Sequence, residues 1–111
     1  MRRTDPLYVS LGGFVGAVLR WSVGVVVPGE PGTLVVNVLG SFALGVLVTA
    51  VTSHRLRVLV GTGLLSSFTT YSTFAVETAT VAPSLGLANV GANYVLGIAA
   101  ATLGVAWGRR R

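Results

Sequence analysis

A chain of 111 residues that is 52% hydrophobic and only 10% charged falls far below the roughly one-quarter charge of soluble domains, which excludes an ordinary water-soluble fold. It has no cysteine and one histidine, His54, which excludes a disulfide scaffold, a thiolate or histidine metal site and a cysteine nucleophile. Eight basic and three acidic residues give a net charge of +5, and a mean hydropathy of +0.79 points to lipid as the solvent.

Crossing a hydrocarbon layer of about 30 Å takes about 20 helical residues. Four apolar runs qualify, at 7–27, 33–52, 58–80 and 87–107. The expected fold is therefore an all-α membrane protein, a single four-helix transmembrane domain over residues 1–111. The first run exceeds a signal core, holds Arg20 and precedes three more spans, so it reads as a span and not a cleaved leader. Its separator, Pro28-Gly29-Glu30-Pro31-Gly32, is a turn sequence. His54-Arg55-Leu56-Arg57 reads as a basic loop, and Ala82-Pro83-Ser84 divides the last two runs. Loops this short make consecutive helices antiparallel. Gly12 with Gly16, and Gly104 with Gly108, have the four-residue spacing of close helix contacts, whether within one chain or between two.

Polar side chains inside lipid are costly unless they face protein, water or a substrate. The second segment places Thr33, Asn37, Ser41, Gly45 and Thr49 on one face at four-residue intervals. Ser41 and Thr49 fit helix glue, whereas the two amide donors of Asn37 fit replacement of water around a passing anion. In the fourth segment Asn89 and Asn93 repeat the spacing towards Gly97, with Tyr94 alongside. Pore lining and interface glue both suit them.

The third segment holds seven hydroxyl-bearing residues among the eight from Ser66 to Thr73. Hydroxyls compete for backbone hydrogen bonds. This stretch either breaks the helix and presents carbonyls and amides to an ion, or stays helical with its hydroxyls bonded to the preceding turn. Phe68, Tyr71 and Phe74 recur at three-residue spacing, a packing stripe or a set of ring edges that can face an anion. Arg20 and Glu77 are the charges left inside spans. Arg20 can snorkel to the interface, and Glu77 can sit near an interface or pair with Arg20 of this chain or a neighbour. Neither has the spacing of a catalytic acid/base pair, so no enzyme is expected.

Three blocks now stand together: Gly12-Gly13-Phe14-Val15-Gly16-Ala17-Val18-Leu19-Arg20-Trp21, Gly32-Thr33-Leu34-Val35-Val36-Asn37-Val38-Leu39-Gly40-Ser41-Phe42, and Thr69-Thr70-Tyr71-Ser72-Thr73-Phe74-Ala75-Val76-Glu77. In order and over nearly the whole chain they resemble the Fluc/CrcB fluoride channels. The resemblance implies passive export of toxic fluoride through an antiparallel dimer with two pores. By position it makes Asn37 the pore asparagine, Thr33 the vestibule hydroxyl, and Tyr71 and Phe74 the two box aromatics, with Tyr71 departing from phenylalanine. Thr70, Ser72 and Thr73 join that pore set, and Arg20, Glu77, Asn93 and Tyr94 form a structural or interface set. A structural sodium ion would take backbone carbonyls at Ser66 and Thr69. Ser66 replaces a usual glycine, and Gly97 falls where the family has a pore serine.

Four spans would bring the N-terminus, the 52–57 loop and the C-terminus to one side. That side carries Arg2, Arg3, Arg55, Arg57, Arg109, Arg110 and Arg111, and the other carries Glu30 with no basic residue. The +5 charge thus reads as a topology label in a cell-membrane protein with both termini cytoplasmic, rather than a nucleic-acid footprint, although Arg109 to Arg111 also suit anionic lipid. An antiparallel homodimer requires balanced arginines, so the bias favours a heterodimer with an oppositely oriented paralogue over a homodimer. A small four-helix multidrug or cation exporter needs a carboxylate within the first span, where none lies. A non-conducting assembly subunit is the remaining alternative.

Overall fold

A computed structural model describes residues 2–110; Arg111, counted above with the basic C-terminus, lies outside the described residues. Helix α1 runs Asp5–Val26, α2 Glu30–Ala50 and α5 Pro83–Arg109. Each starts with a proline in its first turn, Pro6, Pro31 and Pro83, where the missing N–H has no helical acceptor to lose and φ is already set. Between them, α3 consists of an α turn His54–Leu56, a π-helical stretch Arg57–Leu65 and a second α turn Ser66–Phe68. Thr69, Thr70 and Tyr71 are not helical, and α4 follows at Ser72–Thr80. No strand occurs among the described residues. α1, α2 and α5 are long and apolar enough to cross a membrane.

The turn after α1 uses Gly29 at φ 75°, the one positive φ among the described residues and a conformation that side chains resist. α1 begins two residues earlier than its apolar run suggests and so takes in Asp5. That acid sits at the helix end: its carboxylate lies 3.0 Å from His54 Nε2 and accepts the Arg2 N–H at 2.9 Å.

α2 runs antiparallel to α1 and α5 antiparallel to α4, but the most extensive packing is between helices running the same way. Along α2 and α5, Asn37 meets Asn93, the Ser41 hydroxyl lies 3.7 Å from where a Cβ on Gly97 would stand, Gly45 lies against Ala101 and Gly104, and Thr49 lies against Gly108. Along α1 and α3, Asp5 meets His54, Tyr8 lies under Arg55, Gly12 meets Leu59 and Gly63, and Gly16 meets Leu64 and Ser67. Both glycine pairs singled out above are thus used within the chain. A Cβ on Gly12 would stand 2.1 Å from the Leu59 carbonyl oxygen, which is why the backbones can touch only with hydrogen there.

The buried core is small, with Val36, Leu47, Leu65, Phe68, Phe74 and Ala100. Large apolar side chains point outward, Phe14 at 69% and Val26 at 79% exposure, as suits a protein whose solvent is lipid.

Arg57 closes the end of α2. Its Nε donates to the Val51 carbonyl at 2.8 Å and its Nη2 to the Val48 carbonyl at 3.2 Å, satisfying acceptors that a helix C-terminus leaves open. Arg57→Gln is expected to lower stability by about 1 kcal/mol, read from a reversible detergent-unfolding titration. Arg57→Lys should recover only part of it, since an ammonium cannot fork across two carbonyls.

Candidate functional site

The site is built around the interruption at Thr69 to Tyr71. Upstream, Ser67 Oγ donates to the Gly63 carbonyl at 3.0 Å and Thr69 Oγ1 to the Leu65 carbonyl at 2.9 Å, while Ser66 Oγ bonds the Thr62 carbonyl. Of the two readings of this hydroxyl run, the back-bonding is present: the hydroxyls bond carbonyls of the preceding turn, and the Leu65 carbonyl accepts the Thr69 N–H as well, at 3.0 Å. The helix nonetheless ends at Phe68.

Asn37 holds the interrupted backbone from across the site. Its Oδ1 accepts the Thr70 N–H at 2.9 Å, and its Nδ2 donates to the Thr70 carbonyl at 3.1 Å. One side-chain amide thus replaces both backbone partners that Thr70, itself buried, has given up by leaving the helix. The second Nδ2 proton points to Asn93 Oδ1 at 3.4 Å, a long contact and the weakest of the three. Asn93 Nδ2 in turn bonds the Asn89 carbonyl at 2.8 Å, and Asn89 Nδ2 bonds Thr78 Oγ1 at 2.9 Å. A continuous amide chain so runs from α2 through α5 to α4.

The Thr70 hydroxyl accepts the Thr73 N–H at 3.2 Å, satisfying an orphan donor where α4 starts. Tyr71, Phe74 and Tyr94 form a row of rings: Tyr71 and Phe74 centroids are 6.0 Å apart, and Phe74 meets Tyr94 nearly edge-on at 6.4 Å and 80°. Phe74 is buried, Tyr71 is 74% exposed, and Ser66, Ser72 and Thr73 are also exposed. Thr33 is buried one turn before Asn37. Beside the interruption lies an open cavity of about 590 Å³ lined by residues including Asn37, Ser41, Ser66, Thr69, Tyr71 and Asn93. The apolar side chains of Leu44, Leu65, Phe74 and Ile98 line the same cavity, so the polar atoms of Asn37, Ser41 and Asn93 stand in a mostly apolar wall, where polar groups are costly unless they meet protein, water or a ligand.

The chain forms no Arg20–Glu77 ion pair. Arg20 is exposed, and Glu77 Oε1 is buried with no hydrogen-bond partner. Nothing local in the sequence could pair Asn89 with Thr78 or Asp5 with His54, because these contacts join separate helices.

The carbonyls at the interruption can accept a small hard cation. The Thr70 N–H, which a continuing α-helix would direct at the Ser66 carbonyl, goes to Asn37 instead, so that oxygen lacks its helical donor. Ser66 has φ −66° and ψ −30°, ordinary helical values that need none of glycine's freedom. Gly97 has room for a larger residue, since a Cβ there would meet only Ser41 Oγ at 3.7 Å.

A family model described as CrcB-like protein, Camphor Resistance (CrcB), matches residues 7–105. The chain belongs to the CrcB family. Among its CrcB relatives, fluoride-specific ion channel FluC 1 of Haloarcula marismortui is 50% identical over 101 residues, covering 86% of this chain and 79% of the relative. FluC 2 of Halobacterium salinarum is 49% identical over 102 residues, covering 86% and 80%. FluC 1 of Natronomonas pharaonis is 52% identical over 99 residues, covering 83% of each. All three bear the name of an ion channel and none that of an enzyme.

Proposed function

We propose that this chain is a subunit of a fluoride-selective channel that lets toxic fluoride leave the cell passively. The observation that carries the reading is the Asn37 clasp on Thr70, which keeps a non-helical backbone beside exposed hydroxyls and ring edges in an apolar protein; the channel names of the relatives agree with it. In the membrane the chain makes four crossings, the third interrupted near mid-depth, where irregular backbone is tolerated because it lines a site.

Fluoride is strongly hydrated, so its pore must replace water without a full positive charge that would trap it. Asn37 Nδ2 supplies one donor by giving up its long contact with Asn93 Oδ1. Thr33 lines the approach, Thr70, Ser72 and Thr73 add hydroxyls, and the edges of Phe74 and Tyr71 present the positive rim of the ring quadrupole. Tyr71 adds a phenolic donor. Ser66 and Thr69 would hold a structural sodium ion through their carbonyls; when bound, it neutralises oxygens that have no helical donor. Two subunits of opposite orientation make the dimer and its two pores, with the exposed side of the cavity facing the partner.

The gathering of arginines at one end supports a fixed orientation with both termini cytoplasmic, and hence an oppositely inserted paralogue as partner. Reporter fusions at the C-terminus should signal from the cytoplasmic side alone; substantial signal from both sides sinks the fixed orientation. The channel is tested by fluoride efflux from liposomes, with the chain alone and with co-expressed candidate partners. Fluoride should exit far faster than chloride. No flux in any pairing removes the channel reading, and equal chloride flux removes its selectivity.

A further inference from the structure

Six of the seven described arginines gather at one end of the molecule, and the packing explains how. The Asp5–His54 contact and the stacking of Arg55 over the Tyr8 ring, 5.9 Å from its centroid, join the start of α1, with Arg2 and Arg3, to the start of α3. The contact of Thr49 with Gly108 brings Arg109 and Arg110 to the same end as α2, which Arg57 closes. We propose that this end is a binding surface for the phosphate headgroups of anionic phospholipid in the adjoining leaflet. The inference rests on the membrane reading above and not on fluoride conduction.

Three observations support it. First, the arginines there are exposed and no exposed acid answers them. Of the three acids, Asp5 is 3% exposed with its carboxylate turned onto Arg2 N–H and His54, Glu30 opens α2 at the far end, and Glu77 lies in α4. α4 packs on the opposite half of α5, where Gly86 meets Thr78. Second, the basic end borders exposed apolar side chains, Leu7 at 69% and Leu56 at 47%, with Tyr8 and Trp107 at the boundary. Aromatic rings settle at headgroup depth, so the guanidinium groups stand where lipid phosphates lie. Third, guanidinium matches phosphate with paired donors. A nucleic acid would find the same charge, but the apolar border favours a lipid.

The test is native mass spectrometry of the purified protein titrated with phosphatidylglycerol or phosphatidylcholine. The variants are Arg3→Gln and Arg110→Gln, whose side chains make no hydrogen bond or ion pair within the described residues, and Arg55→Gln. Phosphatidylglycerol should bind at least tenfold more tightly than phosphatidylcholine, and each substitution should weaken it about fivefold, the effect of one arginine near an anionic surface. Phosphatidylcholine binding should not change. Equal binding of the two lipids, unchanged binding in the variants, or displacement of phosphatidylglycerol by inorganic phosphate or duplex DNA overturns the proposal. Thermal stability of the variants in detergent should stay at the wild-type level, and if Arg55→Gln loses the Tyr8 contact and unfolds, the other two variants decide the matter. Flotation separates the failures: a chain that floats with neutral vesicles but shows no lipid preference leaves the membrane reading intact, whereas one that floats with neither vesicle type removes both.

Discussion

Replacing Asn37 with alanine is expected to abolish fluoride efflux from reconstituted liposomes and to lower unfolding stability by about 2–4 kcal/mol. The second effect follows from the Thr70 backbone. Its N–H and carbonyl bond Asn37 at 2.9 and 3.1 Å, and Thr70 is buried. No helical neighbour takes over, so each orphaned group costs about 1–3 kcal/mol. The first effect follows because the interruption is then free to collapse and the donor proposed to meet the anion is gone. Asn37→Asp tests the donor: a carboxylate keeps the acceptor for the Thr70 N–H but sets a second oxygen against the Thr70 carbonyl that Nδ2 now bonds, so stability should fall as well, and its negative charge repels an anion, so flux should be lost. Wild-type flux in either variant would contradict the role assigned to this side chain.

A valine at Gly104 is expected to prevent α2 and α5 from packing and to cost about 3 kcal/mol. A Cβ there would lie 2.2 Å from the Phe42 carbonyl oxygen and 3.2 Å from the Gly45 Cα. Both are backbone atoms, which cannot rotate aside, so the helices must separate. Dispersion contacts, the main attraction between helices in lipid, weaken steeply with such a gap. Gly91 is the control: no atom stands within 4 Å of its Cβ position, so Gly91→Ala should be neutral or up to about 1 kcal/mol stabilising through helix propensity. Detergent-unfolding titrations of the two variants check this, and equal stabilities would refute the packing argument.

Much of this was legible in the sequence because lipid imposes simple rules. Proline and glycine marked the breaks before α2 and α5, although the first turn is shorter than expected, Glu30 to Gly32 already lying in α2; of the four apolar runs, three are the long helices. Small residues four apart marked the faces of α1, α2 and α5 that touch other helices. What local pattern could not carry was the choice of partner. Spacing put Asn37 and Asn93 on polar faces, but whether the Asn37 amide faces open space or another backbone depends on Thr70, which lies 33 residues away. The hydroxyl run posed a choice between interruption and back-bonding, and its back-bonds coexist with a helix that ends at Phe68. Asp5 gave no sign of its role, since its partner His54 comes 49 residues later. Arg20 and Glu77, the natural pair by charge, do not meet within the chain.

The same-direction pairing of α1 with α3 and of α2 with α5 also constrains how the protein is made. Two helices that follow one another in sequence can fold together as a hairpin while leaving the ribosome, but parallel partners must wait until the chain has crossed back. α2 ends at Ala50, and its partner begins only at Pro83. During synthesis the small-residue face of α2, with Gly45 and Thr49, therefore stays uncovered until nearly the last residue has emerged. Tertiary assembly is thus a late, post-insertion event, and a chain truncated before α5 would leave that bare face open to whatever other helix the membrane offers.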